Sequence, residues 1–168
     1  MKKALFLDRD GVINIQHEDY SHQEKFEYVN GIFELCRHFL NIGYLIVVVT
    51  NQGGIAFGKL TEESLMLTHK KMVNDFFKEG IKITEVFYCP YHPKGFGKYK
   101  MEHIDRKPGP GMILKASEKY NINLSESIMV GNYYTDVEAG KNAGCGINIL
   151  VQTNSDNIYH EVLEKLEL

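Results

Sequence analysis

The chain opens on an apolar run, Ala4-Leu5-Phe6-Leu7, that stops abruptly at Asp8-Arg9-Asp10-Gly11. A run so short and so uniformly apolar suits a strand buried on both faces, and the glycine marks where the chain turns away from its end. Ligands of open α/β sheets bind beyond the carboxyl ends of the strands, so Asp8 and Asp10 stand where chemistry is expected. Side chains at i and i+2 of an extended backbone point the same way, which lets both carboxylates converge on one small object. A cation with a phosphate is the natural candidate. A polar turn without chemistry is the plain alternative, and a second strand ending of the same kind weighs against it. Leu45-Ile46-Val47-Val48-Val49 runs into Thr50-Asn51-Gln52-Gly53-Gly54, a hydroxyl, two amides and a flexible turn.

Helical and strand patterns alternate along the rest of the chain. Ile32, Phe33, Leu35, Cys36, Phe39 and Leu40 recur at helical spacing and Gly43 closes that segment. Thr61-Glu62-Glu63 reads as a hydroxyl cap with acids in the first turn of a second helix, whose expected buried stripe is Leu65, Met72, Val73, Phe76 and Phe77. Glu85 to Tyr88 reads as a strand. Residues 89 to 110 then hold every proline of the chain, a loop long enough to be functional or mobile. Pro110 starts a helix, Ser127 to Val130 is a strand, about 135 to 142 a helix, Ile147 to Val151 a strand, and Ile158, Val162, Leu163 and Leu166 mark a last helix. Strands alternating with helices at this spacing predict right-handed crossovers and a Rossmann-like three-layer α/β sandwich with a central parallel sheet. Between the first two motifs there is chain for one loop and one helix, too little for a large cap domain, so residues 1–168 are expected to form one domain.

Composition removes several function classes. At 168 residues the chain suits one domain that buries about 70% of its unfolded surface. A formal net charge of −3 supplies no basic footprint for nucleic acid. No segment approaches the ~20 apolar residues of a membrane span, and Met1-Lys2-Lys3 leads straight into a core strand rather than a signal peptide, so a cytoplasmic monomer is expected. Cys36, Cys89 and Cys145 are widely spaced and odd in number, which fits reduced thiols better than a disulfide frame.

Asp8-x-Asp10-Gly11-Val12-Ile13-Asn14, Thr50-Asn51-Gln52, Arg106-Lys107-Pro108 and Gly131-x-x-x-x-Asp136, in that order, resemble the four motifs of haloacid-dehalogenase-like phosphatases. Order and spacing are similar to the D-glycero-D-manno-heptose-1,7-bisphosphate 7-phosphatase group and its relative, the histidinol-phosphatase domain. The resemblance spans roughly residues 3 to 151 and implies a Mg²⁺-dependent phosphomonoesterase for a small phosphorylated sugar, in the route to nucleotide-activated heptoses. It implies Asp8 as nucleophile, Asp10 as proton donor and acceptor, and Thr50 and Lys107 as phosphoryl-stabilising residues. Substrate contacts are implied for Arg9, Gln16, His17, Glu18, Asp19, Asn51, Gln52, Gly53 and Arg106, and Mg²⁺ contacts for Asp8, Asp10, Asn132 and Asp136. The loop residues 16 to 19 equally suit a solvated loop, and Arg106-Lys107 taken alone would suit a solvated basic pair.

Three departures from the family pattern bear on these expectations. Asn132 and Tyr133 stand where a metal-binding aspartate and a substrate-contacting lysine are usual, Phe57 where an arginine is usual, and the thiolate-rich zinc pattern before Arg-Lys is missing. Cys89-Pro90-Tyr91 and His103-Ile104-Asp105 occupy its place; Cys89, His92, His103 and Asp105 could in principle form a replacement set, but structural zinc is not expected. A histidinol-phosphate or other small sugar-phosphate phosphatase is the alternative enzyme. A catalytically weakened binding protein on the same fold is the alternative outside enzymology.

Overall fold

In the computed structural model of the chain, which describes residues 1–18 and 26–168, the first apolar run is the central strand of a five-stranded parallel sheet. The elements follow in the order β1 (Lys3–Leu7), α1 (Ile32–Asn41), β2 (Tyr44–Asn51), α2 (Glu62–Lys78), β3 (Ile83–Cys89), α3 (Gly111–Tyr120), β4 (Ile128–Gly131), α4 (Tyr134–Ala143), β5 (Ile147–Leu150) and α5 (Ile158–Lys165). Strand order is β3-β2-β1-β4-β5, so the direction of winding reverses between β1 and β4. At such a switch point two loops diverge to opposite sides of the sheet and leave a crevice at the carboxyl edge. Asp8 lies one residue past β1 and Asn132 one residue past β4, on the two sides of that crevice.

Strand alternation explains the three layers. Leu5, Leu7, Ile46, Val48, Ile128 and Val130 face a core that α1, α2 and α5 close with Leu35, Phe39, Met72, Phe76 and Val162. Ala4, Phe6, Val47, Val49 and Met129 face the other side, covered from α3 and α4 by Met112, Ile113, Ala116 and Ala139. The inner strands β1, β2 and β4 thus bury both faces, which is why their runs are continuously apolar. Among the described residues no element stands apart from these layers as a cap.

The elements expected from the sequence are all present, with shifts of one to a few residues at their ends. Thr61 caps α2 as expected, its hydroxyl accepting from the Ser64 amide at 3.1 Å. The buried stripe of α2 differs from the expected one. Leu65, His69, Met72 and Phe76 face inward, at spacings of four, three and four, while Val73 is 36% and Phe77 71% exposed. Phe77 follows Phe76 by ~100° around the helix and cannot share its face. The stripe position between Leu65 and Met72 falls to a histidine, which an apolar pattern does not register.

Candidate active site

Asp8 is buried at the end of β1, and its surroundings are dominated by Lys107. The lysine Nζ donates to Asp8 Oδ1 at 2.8 Å and to the Val49 carbonyl at 2.8 Å, and pairs with Asp136 Oδ1 at 2.6 Å. All three ammonium hydrogens are therefore directed, and the side chain is 2% exposed. Burial alone would lower the Lys107 pKa, but the two carboxylates outweigh it and hold the ammonium above its ordinary value. Burial pushes the Asp8 carboxyl up to about 6; the Lys107 charge opposes that shift, and Asp136 and Asp10 add to it. A buried carboxylate beside two others calls for a further positive partner.

Asp10 is fixed through both of its oxygens. Oδ1 accepts from Arg9 Nη2 at 2.7 Å, Arg9 Nε at 3.2 Å and Asn14 Nδ2 at 3.0 Å, and Oδ2 accepts from Gln52 Nε2 at 3.0 Å. Burial would raise its pKa, but Arg9, Asn14 and Gln52 together hold it below the usual carboxylate range. Gly11, with φ of +85°, turns the chain after Asp10, and a side chain there would collide with the Asn132 amide.

Asn132 tests whether the residues fit a metal. The end of its amide that faces the crevice lies 2.9 Å from Asp8 Oδ2 and 3.2 Å from the Asp10 carbonyl oxygen, and its other end meets Thr153 Oγ1 at 2.9 Å. With the amide oxygen inward, three oxygens face one another with no proton between them, the donor set of a hard dication. With the amide nitrogen inward, the same two oxygens accept hydrogen bonds. Asp8, the Asp10 main chain and Asn132 therefore fit Mg²⁺. The Asp10 carboxylate oxygens are engaged by Arg9, Asn14 and Gln52, which leaves its backbone carbonyl as the Asp10 oxygen facing Asn132.

Several residues expected at the metal or the substrate have polar atoms that already have partners within the protein. Asp136 was expected at the metal, but Oδ2 accepts from the Asn132 and Tyr133 amides at 3.1 and 3.0 Å and Oδ1 meets Lys107, so it caps α4 and holds the lysine. Asn51 was expected on the phosphoryl oxygens, yet its side chain exchanges two hydrogen bonds with the Lys107 backbone, at 3.0 and 3.1 Å, and anchors the Arg106-Lys107 turn to β2. Gln52 bridges Asp10 and the Thr50 hydroxyl, which accepts at 2.9 Å. The Arg9 guanidinium is spent on Asp10 and on His69, whose Nε2 is 3.0 Å from Nη1.

Beside Asp10 opens a cleft of about 240 Å³, lined among others by Asn14, Gln16, His17, Glu18, Asn51, Gln52 and Gly53. Gln16 is tied across it, its amide NH₂ donating to Tyr133 Oη at 3.0 Å and its backbone pairing with Asn154 at 2.7 and 3.0 Å. Arg106 is half-buried next to Gly53. Asp19 lies outside the described residues. Asn14 stood in the first motif without a role, and Thr153 and Asn154 were not singled out from sequence; the latter two follow the end of β5 and could have been found by the rule that placed Asp8.

The four residues considered for zinc are not assembled. Cys89 is buried, His92 Nδ1 accepts from the Lys94 amide at 3.0 Å, His103 stacks on Tyr91 with ring centres 4.6 Å apart, and Asp105 pairs with Lys115. Among the described residues no group of three or more His, Cys, Asp or Glu side chains could hold a metal ion. Among the same residues, no helix is long and apolar enough to cross a membrane.

Comparison with known proteins places this geometry. The HAD-hydrolase-like family model matches residues 104–164. The chain is 43% identical over 153 residues to a D-glycero-beta-D-manno-heptose-1,7-bisphosphate 7-phosphatase of Vibrio cholerae, covering 90% of this chain and 82% of the relative. It is 44% identical over 150 residues to a D-glycero-alpha-D-manno-heptose-1,7-bisphosphate 7-phosphatase of Burkholderia mallei, covering 89% and 79%. Its structure aligns with the crystal structure of D,D-heptose 1,7-bisphosphate phosphatase from B. bronchiseptica complexed with magnesium and phosphate, at a TM-score of 0.79 and 27% identity, over 97% of this chain and 86% of that one.

Proposed function

Because the chain belongs to the haloacid-dehalogenase-like hydrolases, and within them to the heptose-1,7-bisphosphate 7-phosphatase family, we propose that it removes the 7-phosphate of a D-glycero-D-manno-heptose 1,7-bisphosphate. The observation that carries this reading is the joining of identity above 40% over nine-tenths of the chain with an intact Asp8, Asp10 and Lys107 cluster.

Phosphomonoesters resist hydrolysis because an anion must be approached by a nucleophile and a basic alkoxide must leave. In the first half-reaction the Asp8 carboxylate attacks phosphorus, the bond from phosphorus to the sugar oxygen breaks, and Asp10, as the acid, protonates that oxygen. An aspartyl phosphate and the free alcohol result. In the second half-reaction the Asp10 carboxylate takes a proton from water, the water oxygen attacks phosphorus, and inorganic phosphate leaves with Asp8 restored. Asp10 rests ionised in the substrate-free enzyme, and a phosphate arriving beside it raises its proton affinity.

Lys107 holds Asp8 in place and stabilises charge on the transferring group, with Thr50 offering its hydroxyl beside it. Arg106, Gln16, His17, Glu18 and Gly53 line the approach and contact the sugar. Mg²⁺, held by Asp8 Oδ2, the Asp10 carbonyl and Asn132 Oδ1, would offset the repulsion between nucleophile and phosphate.

A phosphate-release assay with Mg²⁺ tests the reading, using the 1,7-bisphosphates of both heptose anomers, heptose 7-phosphate and histidinol phosphate. The bisphosphates are expected to be hydrolysed fastest, with a 1-phosphate product. Faster hydrolysis of histidinol phosphate would assign the chain to the alternative activity.

A further inference from the structure

The histidine that interrupts the apolar stripe of α2 reaches the catalytic apparatus from behind. His69 is 6% exposed, and it meets the site through Arg9. Its Nε2 lies 3.0 Å from Arg9 Nη1, and the other edge of the same guanidinium grips Asp10 Oδ1 at 2.7 and 3.2 Å. An arginine has only donors, so Nε2 must be the acceptor, and His69 is neutral with its proton on Nδ1. A guanidinium is planar, so fixing one edge fixes the direction of the other. The Phe26 ring lies 5.6 Å from the guanidinium carbon as a further wall.

We propose that His69 is a positioning residue for proton transfer, acting through Arg9 to aim the Asp10 carboxylate at the leaving oxygen. The proposal rests on the reading above that Asp10 supplies that proton. Asn14 and Gln52 also hold Asp10, and of the three only Arg9 is hydrogen-bonded to a helix of the core. Without an acceptor at position 69, Arg9 Nη1 is left buried and unpaired, and the side chain swings toward the cleft to be solvated. Asp10 then loses its strongest orienting contact while Asp8, Lys107 and Thr50 keep theirs.

The test compares kcat/KM for the heptose bisphosphate, whose alkoxide leaving group needs a proton, with that for 4-nitrophenyl phosphate, whose phenolate leaves without one. In His69→Leu the ratio of the two is expected to fall at least about tenfold, the scale of one hydrogen bond to a charged group. His69→Gln, which keeps an acceptor, is expected to restore most of it. Equal losses on both esters would mean a purely structural histidine and overturn the proposal, as would an unchanged ratio. Wild-type protein inactive on both esters would instead overturn the phosphatase reading and this proposal with it. Should the leucine variant not fold, the ¹⁵N-resolved imidazole spectrum of the intact protein decides. A proton on Nδ1 alone supports the brace, and a proton on Nε2 overturns it.

Discussion

Lys107 Nζ meets Asp136 at 2.6 Å and Asp8 at 2.8 Å, so the lysine stands between the last motif carboxylate and the first. The Lys107 and Asp136 side chains are almost fully buried, at 2% and 3% exposure, and each is the other's main charge partner besides Asp8. Removing one partner of such a buried pair strands the other, which costs about 3–5 kcal/mol. Lys107→Met, which leaves two carboxylates unpaired, is expected to lose activity and to lower stability on that scale in urea unfolding. Asp136→Asn keeps the helix cap acceptor and Asp8 as a partner for Lys107, and is expected to destabilise less.

Asp8→Asn is expected to abolish turnover, because an amide cannot form the acyl phosphate, while the variant stays folded with Lys107 still paired to Asp136. Asp10→Asn is expected to slow the reaction by about 10²-fold or more through lost proton transfer. Trapping of phosphate on Asp8 by mass spectrometry checks the first, and wild-type turnover in the Asp8 variant would refute the covalent route.

Asn132 can present either its oxygen or its nitrogen to Asp8 Oδ2. An aspartate there can present only oxygen, which repels Asp8 without metal and attracts a dication more strongly. Asn132→Asp is therefore expected to lower Tm in the metal-free protein, to tighten Mg²⁺ binding measured by calorimetry, and to reduce the Mg²⁺ concentration for half-maximal activity. Unchanged metal affinity would remove position 132 from the metal site.

The pH dependence of folding should carry a contribution from His69. Burial, and then the charge of Arg9, lower its pKa to about 3, with Asp10 opposing, against an ordinary value of 6.5. The unfolded chain therefore binds a proton between those values that the folded protein does not. Stability from this group is full above about pH 6.5 and is lost as pH falls toward 3. Arg9, Asp10 and the Tyr88 ring are the groups that face it. Urea midpoints measured from pH 7 down to 4.5 are expected to fall less steeply in His69→Gln than in the wild type.

The 89–110 loop is fastened by protein groups, among them the hydroxyl of Tyr99 donating to Glu62 at 2.8 Å and the Asp105 pair with Lys115. Elemental analysis of the purified protein is expected to find no stoichiometric zinc, and a zinc-selective chelator to leave Tm unchanged. One tightly held zinc per chain would overturn this.

The sequence by itself determined the sheet and the position of the site. Apolar runs such as Ala4–Leu7 and Leu45–Val49 are buried on both faces, and local periodicity is enough to mark them, while the abrupt change to Asp8 and Thr50 marks the carboxyl edge. Element ends such as Thr61 and Gly43 were legible because caps obey local rules. Only the tertiary structure decided what each polar residue does at that edge. Asn51, Gln52, Arg9 and Asp136 carry the residue types of ligand contacts, and each is engaged by a neighbour distant in sequence, Asn51 and Asp136 by Lys107, Gln52 by Asp10 and Arg9 by His69. Which partner takes a hydrogen bond depends on distances between loops that no local pattern encodes. For the same reason His69 looked like any residue of an amphipathic helix until α2 was packed against the far side of Arg9.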